Sequence, residues 1–311
     1  MRAEISEPDA PEMRDAFQRA LPLPEDLDSG FKSALKHLLR HPGSMVRPRL
    51  VAQIAAAYGI KPGSAVNLAV ALEYFHTSSL VFDDLPCMDN AMSRRGAPCV
   101  HVPFGEAGAI LAALALINRA YALSWKAIAE SPGPVQAEAM EYLERRLGVG
   151  GLLNGQALDL NYACLPHNRD TTERIACGKT VSLIRLTLVL PAMLGGASRQ
   201  ELRLLERMAM CWGLAYQMVD DLKDLLQSSD ESGKTAARDL HLDRPNIALA
   251  IGVPAAVARL TRLIQLGGRM LTRLLAVRPG LMFLASLRSD LQSELGRVVE
   301  NACDFSASLE K

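Results

Sequence analysis

The 311-residue sequence predicts an all-α fold, and three observations support that prediction. Apolar residues recur at helical spacing in seven long segments, whereas the two-residue alternation typical of half-buried strands is never sustained. Glycine and proline fall between these segments, as in residues 58–64 (YGIKPGS), 130–135 (ESPGPV) and 276–280 (AVRPG). The chain should therefore form a bundle of helices.

The predicted helices follow one another with short connections. They cover residues 31–40, 65–82, 108–129, 136–160, 182–194, 199–226 and 284–302. No internal repeat, low-complexity tract or linker rich in glycine, serine or proline divides them. We therefore expect a loose N-terminal arm over residues 1–28 and a single all-α domain over residues 29–311.

The charge balance narrows the class of ligand. Lysine plus arginine equals aspartate plus glutamate at 34 each, so no overall field attracts nucleic acid or acidic membranes. Hydrophobic residues make up 49% of the chain, enough for a large core. We expect no nucleic-acid partner, and any charged ligand must be met by local clusters.

Residues 1–20 lack the pattern of a secretory signal, which favours a cytoplasmic location. Residues 1–20 carry acids and prolines where a secretory signal needs a basic start and an apolar block. The longest apolar run, Ala107–Ile117, is too short to cross a bilayer. Six cysteines without a CxxC pair fit reduced thiols. The sequence thus predicts a cytoplasmic protein with no integral membrane segment.

A first cluster of carboxylates lies in apolar surroundings at residues 78–90 (SSLVFDDLPCMDN). Asp83 and Asp84 are followed by Asp89, and Pro86 between them should loosen or end the helix. We expect this distortion to return Asp89 toward the aspartate pair.

A second cluster lies in residues 215–226 (AYQMVDDLKDLL). On a helix, Asp224 lies one turn from both Asp220 and Asp221, and Gln217 lies one turn earlier on the same side. Crowded carboxylates repel and raise each other's pKa unless a cation neutralises them. Their hard oxygens suit Mg²⁺, which is commonly shared between carboxylates and a substrate phosphate.

Basic residues extend this chemistry to an anion. Arg94, Arg95, Lys179 and Lys234 add cationic donors to the two aspartate clusters. Metal ions together with a polyanion are therefore expected, and diphosphate is the natural candidate.

Six segments in this order resemble the trans-prenyl diphosphate synthases, the short-chain enzymes that make farnesyl and geranylgeranyl diphosphate. The segments are DDLPCMDN (83–90), SRRGAPCVH (93–101), GGLLNGQALDL (150–160), GKTVSLIR (178–185), YQMVDDLKD (216–224) and GKTAARDL (233–240). The resemblance implies an isoprenoid synthase barrel of long antiparallel helices around a deep apolar cavity. It also implies a homodimer, and two aspartate motifs that face each other across the cavity.

The resemblance assigns a role to each matching residue. It implies two magnesium motifs, Asp83, Asp84 and Asp89 in the first and Asp220, Asp221 and Asp224 in the second, and about three Mg²⁺ ions with substrate bound. Arg94, Lys179, Thr180 and Lys234 match positions that hold the allylic diphosphate. Gln217 matches a glutamine beside the second motif, and Gln156 one near the reacting centre, although Gln156 and Asp159 could equally make buried polar contacts between helices.

The implied reaction is ionisation of an allylic diphosphate followed by attack of isopentenyl diphosphate on the carbocation. The isopentenyl site departs from the family pattern, because Ser44 and Met45 stand where a lysine and an arginine are usual. Arg47, His76 and Arg95 are retained. One lost charge-assisted contact of about 1.5–3 kcal/mol weakens this site without erasing it.

Product length depends on the side chains before the first aspartate motif. Ser78 and Ser79 occupy positions where bulky aromatics block the growing chain in the resembling family. Small side chains leave room for a product longer than farnesyl, most simply geranylgeranyl diphosphate. Other helices could supply the floor instead, with Phe75, Leu111 and Leu114 as candidate blockers.

Two other functions remain open at this point. One is a terpene cyclase-like enzyme that ionises a preformed prenyl diphosphate without isopentenyl diphosphate, which the Ser44 change favours. The other is a non-catalytic partner subunit, which the complete aspartate motifs oppose. A prenyltransferase that makes geranylgeranyl diphosphate remains the main prediction.

Overall fold

The computed structural model describes residues 10–226 and 244–309, with side chains for residues 12–226 and 244–300. Its helices are α1 (Ala10–Arg19), α2 (Ser29–Arg40), α3 (Val46–Ala57), α4 (Pro62–Asp83), α5 (His101–Ile128), α6 (Gly133–Leu147), α7 (Leu152–Leu160), α8 (Arg169–Ala176), α9 (Ser182–Leu194), α10 (Arg199–Leu226), α11 (Ile247–Ile251), α12 (Val253–Val277) and α13 (Leu284–Leu309). Within the described part of the chain, the strands are β1 (Ser93–Arg94) and β2 (Ala97–Pro98), which pair as one short antiparallel hairpin. The all-α prediction is confirmed.

The chain forms two compact units. One comprises Met1–Met140 with Leu190–Ala197, and the other comprises Glu141–Val189 with Ser198–Lys311. We call them unit 1 and unit 2. The single domain predicted over residues 29–311 stays a prediction.

Helix α4 is the centre of unit 1. Its buried residues occur around the whole circumference, among them Leu68, Leu72 and Phe75, as expected of a helix that is enclosed by its neighbours. Helices α3 and α5 pack against it. Phe75 meets Tyr121 of α5 edge to face at 4.9 Å, so an aromatic contact connects α4 to α5 about two turns before the first aspartates.

Part of the expected N-terminal arm is packed rather than loose. Phe17 of α1 is fully buried and meets Tyr74 edge to face, and Tyr74 Oη donates a 2.6 Å hydrogen bond to Phe17 O. Met13 is also buried. The helical spacing of Met13 and Phe17 gives α1 an apolar face, which the acidic and proline-rich composition of residues 1–20 obscured.

In unit 2, helix α10 packs against α12 and α13. Their shared core is formed by apolar side chains such as Leu214, Met218, Leu222, Leu260 and Ile264. The buried face of α10 therefore fixes the position of the second aspartate cluster at its C-terminal end.

The structure corrects the helix prediction at two places. The segment 136–160 is two helices, α6 and α7, because the glycines of residues 148–151 interrupt it. Helix α12 is missing from the predicted segments, since Gly267 and Gly268 dilute its apolar pattern; Gly267 is in fact required by close contact with the Trp212 ring.

Two helical stretches, His101–Ile128 and Arg169–Leu194, are long and apolar enough to cross a membrane by these two criteria alone. Core helices of proteins that never enter a membrane meet the same criteria. The first stretch contains the apolar run Ala107–Ile117, which is too short to span by itself, because α5 extends that run in both directions.

We expect Phe17→Ala to lower the free energy of unfolding by about 3–5 kcal/mol, since it deletes a fully buried ring. Urea denaturation of the purified protein measures this. Gln18→Ala, at an exposed position of the same helix, is the matched control and should change little. Equal effects of the two substitutions would show that α1 does not belong to the folded core.

Candidate functional site

The first aspartate cluster lies at the end of α4 in unit 1. Helix α4 ends at Asp83, and the amide of Asp89 donates a 2.9 Å hydrogen bond to the Asp83 carbonyl oxygen. Pro86 lies in the intervening turn, where it cannot continue a helix. The turn thus returns Asp89 to the aspartate pair, as the sequence predicted.

Asp84 is tied to Arg94. The carboxylate is 5% exposed and accepts hydrogen bonds from Arg94 Nε at 2.7 and 3.0 Å, while Arg94 Nη2 approaches Asp84 Oδ1 at 2.7 Å. Paired contacts of this kind are the strong form of a guanidinium–carboxylate interaction. They connect the end of α4 to strand β1.

The hairpin turn separates two neighbouring arginines. Arg95 and Gly96 both have positive φ, 56° and 76°, as a tight two-residue turn between twisted strands requires. Arg94 lies in strand β1 and meets Asp84, whereas Arg95 lies in the turn and meets other groups. The resemblance assigned Arg94 to the allylic diphosphate and Arg95 to isopentenyl diphosphate, and in the structure the two guanidinium groups have different partners.

Arg95 lies against the turn that precedes α3. Its Nη1 donates to the His41 carbonyl oxygen at 3.3 Å, and its Nη2 lies 3.5 Å from Glu73 Oε1. Gly43 has φ of 78°, and a Cβ there would come within 2.6 Å of the Arg95 guanidinium carbon. Glycine at this position therefore leaves the space that the guanidinium occupies.

His76 and Glu73 lie one helical turn apart on α4, close to Arg47 and Arg95. Burial and then the positive charges of Arg47 and Arg95 hold the pKa of His76 well below its usual range, so its imidazole is neutral at physiological pH. Burial raises the pKa of Glu73 to about 7, and both arginines oppose that shift. Arg47, Arg95 and His76, which the sequence assigned to one diphosphate, are thus brought together.

Sequence reasoning did not single out Glu73. The available signal was one glutamate in an otherwise apolar helix, one turn before His76. Such a residue needs a partner if it is buried, but its partners come from distant segments that sequence spacing does not reveal.

The four substituted or small positions have different surroundings. Ser44 is exposed, whereas Met45 is buried at 1% exposure with φ of 57°. Ser78 is buried and Ser79 half-buried, and their hydroxyls donate to carbonyl oxygens one turn earlier on α4. Leu111 and Leu114 are about half exposed, at 53% and 50%, so neither is enclosed as a blocking residue within the single chain.

In unit 2, close backbone packing positions the Gly178–Lys179–Thr180 segment. A Cβ on Gly155 of α7 would lie 2.3 Å from the Lys179 nitrogen, and one on Gly178 would lie 2.7 Å from the Gly155 Cα. Residues 177–181 form a π-helical turn between α8 and α9, a distortion that is frequent at functional sites.

Lys179 pairs with Asp159. Its Nζ donates to Asp159 Oδ2 at 3.0 Å, and Arg244 Nη1 approaches the same carboxylate oxygen at 3.9 Å. Asp159 is 6% exposed. We left open whether Asp159 belongs to the catalytic face or makes a buried polar contact between elements, and these contacts are of the second kind. Lys179, which we assigned to the allylic diphosphate, is 28% exposed beside it.

A chain of hydrogen bonds connects the π turn, α10 and α11. Thr180 Oγ1 donates to Gln217 Oε1 at 2.6 Å, and Gln217 Nε2 donates to Asp221 Oδ1 at 2.9 Å. The Ile247 amide donates to Asp221 Oδ2 at 2.8 Å. Both carboxylate oxygens of Asp221 therefore accept bonds from the protein, and Asp221 is 1% exposed.

The remaining residues of the second cluster lie on a more open face. Asp220 is exposed and Asp224 half-buried one turn later. Gln156 is half-buried on α7. Lys234, which we assigned to the allylic diphosphate, lies outside the described residues.

The carboxylates suit a metal ion that is shared with a substrate phosphate better than one that protein ligands enclose. Among the side chains that the structure describes, no three Asp, Glu, His or Cys groups gather into a metal-binding cluster. Carboxylate oxygens are nevertheless the ligands that Mg²⁺ prefers, and Mg²⁺ usually keeps positions for water and substrate phosphate. Asp83, Asp89, Asp220 and Asp224 are the residues whose chemistry suits that role.

Known proteins agree with this combination of fold and residues. The polyprenyl synthetase family model matches residues 28–266. Geranylgeranyl pyrophosphate synthase 7, chloroplastic, of Arabidopsis thaliana is 38% identical over 75% of this chain and 67% of its own length. The large subunit 1 of a heterodimeric geranylgeranyl pyrophosphate synthase from the same plant is 38% identical over 74% of this chain and 62% of its own.

Solved structures share the fold. The FPP/GFPP synthase of Zymomonas mobilis has a TM-score of 0.73 and 28% identity, covering 92% of this chain and 95% of its own. A geranyltransferase from Helicobacter pylori, complexed with magnesium and isoprenyl diphosphate, has a TM-score of 0.75 and 25% identity, covering 93% and 95%. These neighbours confirm the isoprenoid synthase fold class.

The fold and site therefore define an enzyme of the prenyltransferase class. The chain belongs to the polyprenyl synthetase family. It spans about two thirds of the length of the curated plant relatives.

We expect Asp221→Asn to lower the free energy of unfolding by about 2 kcal/mol. The new amide nitrogen would face one of the two N–H groups from which the carboxylate now accepts hydrogen bonds. Asp220→Asn, at the exposed neighbouring position, should change stability by less than about 0.5 kcal/mol. Guanidinium denaturation of both variants measures the difference. Equal stability of the two variants would contradict the structural role of Asp221.

Proposed function

We propose that this protein condenses an allylic prenyl diphosphate with isopentenyl diphosphate and releases a longer prenyl diphosphate. The observation that carries the proposal is the presence of both aspartate clusters in a chain of the polyprenyl synthetase family, together with Arg94, which binds Asp84, and Lys179, which binds Asp159. A module that only binds a partner has no use for crowded carboxylates.

Different residues of this chain bind the two diphosphate groups in this proposal. Arg94 and Lys179 offer guanidinium and ammonium donors to the allylic diphosphate, and Arg47 and Arg95 offer guanidinium groups to isopentenyl diphosphate. The neutral imidazole of His76 can donate one hydrogen bond to that second anion without adding charge. Mg²⁺, held by the carboxylates of the two clusters, would neutralise the charge that develops on the leaving diphosphate.

Geranylgeranyl diphosphate is the product we propose, with about three Mg²⁺ ions bound alongside substrate. Ser78 and Ser79 support this length because both are small. The names of the plant relatives include geranylgeranyl pyrophosphate synthases. The cytoplasmic location expected from the sequence stays a proposal, since several relatives are named as chloroplastic or mitochondrial.

The decisive experiment measures product formation with and without isopentenyl diphosphate. Purified protein with Mg²⁺ receives geranyl, farnesyl or geranylgeranyl diphosphate, and the extract is analysed by chromatography. Longer diphosphates should appear only with isopentenyl diphosphate. Asp83→Ala and Asp220→Ala should each lower the rate at least about 100-fold, because each removes charge stabilisation from the leaving group.

Asp290→Ala is the control for this experiment, because Asp290 is an exposed aspartate outside both clusters. It should retain wild-type rates. Hydrocarbon or alcohol formed without isopentenyl diphosphate would show a cyclase-like reaction and would contradict the proposed condensation. No turnover under any condition would favour a non-catalytic partner subunit.

We also propose that the protein is a homodimer that forms through α5. Four large apolar side chains form one exposed stripe on this helix: Leu111 (53% exposed), Leu114 (50%), Tyr121 (43%) and Trp125 (50%). Their spacing places them within about a quarter of the helix circumference. A row of this kind is typical of a face that is covered in an assembly, and a second copy presents the same stripe.

Leu114→Glu should convert the dimer to a monomer, because it places a charge in the centre of the apolar stripe. Size-exclusion chromatography with light scattering measures the molar mass. Val277→Glu alters an equally exposed apolar residue at the end of α12 (53% exposed) and should leave the dimer intact. A monomeric wild-type protein would contradict the proposal.

A further inference from the structure

Glu73 is a buried carboxylate with one loose ionic contact. Its residue exposure is 2%, and its Oε1 lies 3.5 Å from Arg95 Nη2. Charge-assisted hydrogen bonds usually measure 2.7–2.9 Å. The pair is therefore close enough for strong electrostatic attraction, yet neither group is locked in a short bond.

The charged neighbours of Glu73 come from three elements. Arg47 approaches from α3, Arg95 from the hairpin turn, and His76 lies one turn later on α4 itself. Arg94, also in the hairpin, acts on His76 but is bound to Asp84. Because His76 is neutral, Glu73 faces two fixed positive charges.

Arg95 is also open to a ligand. Its side chain is 22% exposed, and it borders a pocket that Arg94, Asp84 and His41 line with it. The Nε atom of Arg47 is buried and has no hydrogen-bond partner among the residues that the structure describes. Both guanidinium groups thus keep bonding capacity that Glu73 does not use.

We propose that Glu73 is a positioning residue of the isopentenyl diphosphate site, where it holds Arg95 beside Arg47 in the free enzyme and takes up one proton when diphosphate binds these arginines. The inference rests on the proposed function. The proton comes from solvent and stays on a Glu73 carboxyl oxygen. No bond of the substrate is made or broken in this step.

The physical reason is competition between two anions for the same cations. Diphosphate brings negative charge close to a carboxylate that already has a pKa of about 7 because of burial, and like charges raise that pKa further. Binding and protonation therefore favour each other. As the pH rises above about 7, the ionised carboxylate should weaken diphosphate binding relative to a protein that has no charge at this position.

Isothermal titration of the full-length protein tests this coupling. Isopentenyl diphosphate and, separately, inorganic diphosphate are titrated in EDTA at pH 6, 7 and 8.5, in two buffers of different ionisation enthalpy. The variants are Glu73→Gln, Glu73→Ala and Glu201→Gln. Glu201 is the matched control, since it is a buried carboxylate paired with Arg278 in unit 2.

We expect wild-type protein at pH 8.5 to take up more protons on binding than Glu73→Gln, by up to about one proton per site. Glu73→Gln should bind as wild type does at pH 6 and about fivefold to tenfold more tightly at pH 8.5. Ionisation of the ligand itself cancels in this comparison. Glu73→Ala, which removes the hydrogen-bond acceptor, should bind more weakly than Glu73→Gln at every pH.

The free protein supplies a second readout. A carboxyl group whose pKa is raised by folding contributes stability below its unfolded pKa, and this stability is lost as the pH rises through about 7. The unfolding free energy of wild type should therefore fall relative to that of Glu73→Gln between about pH 4.5 and pH 7.5. This comparison requires only that both proteins fold.

Two results separate the inference from the proposed function. Binding with the same proton uptake and the same pH dependence in wild type and Glu73→Gln would overturn the role of Glu73 alone. Failure of wild type to bind either diphosphate would overturn the isopentenyl site, and with it the proposed condensation. An altered proton count in Glu201→Gln would also contradict a role specific to Glu73.

Discussion

A carboxylate that is removed from water must find a partner inside the protein, because an isolated buried charge costs several kcal/mol. Four carboxylates of the candidate site are each at most 6% exposed. The pairs are Asp84 with Arg94, Asp159 with Lys179, Asp221 with Gln217 and the Ile247 amide, and Glu73 with Arg95. In each pair the partners lie on different elements or on successive turns of one helix, so the bonds that satisfy each carboxylate also align the elements that carry it.

These pairs differ in how firmly they hold. The contacts of Asp84, Asp159 and Asp221 measure 2.7–3.0 Å, whereas the Glu73 contact measures 3.5 Å. Short bonds set the framework of each unit, and the loose pair leaves its arginine able to exchange partners. Ser44 and Met45 supply no charge to the group that Arg47 and Arg95 form, because Ser44 is an exposed hydroxyl and Met45 is a buried thioether.

The sequence predicted what is local. Helical periodicity found most of the long helices, and Pro86 correctly indicated both the end of α4 and the return of Asp89. It also placed Gln217 one turn from Asp221. What it missed depends on distant contacts, because the pairing of Asp84 with Arg94 and the burial of Glu73 arise only when separate segments meet.

Two further misses have local causes. Acidic residues and prolines at the N-terminus concealed the apolar face of α1, and the paired glycines of α12 weakened its periodicity. In both helices, α1 and α12, neighbouring elements cover one apolar face. Composition was therefore misleading where tertiary packing overrides helix propensity.

The contact between Gly155 and Gly178 has a consequence for how this site can change over evolution. Because main chain meets main chain there, the depth at which Lys179 and Thr180 lie depends on two hydrogen atoms rather than on the size of any side chain. A substitution that adds a Cβ at either glycine must therefore push α7 and the π turn apart.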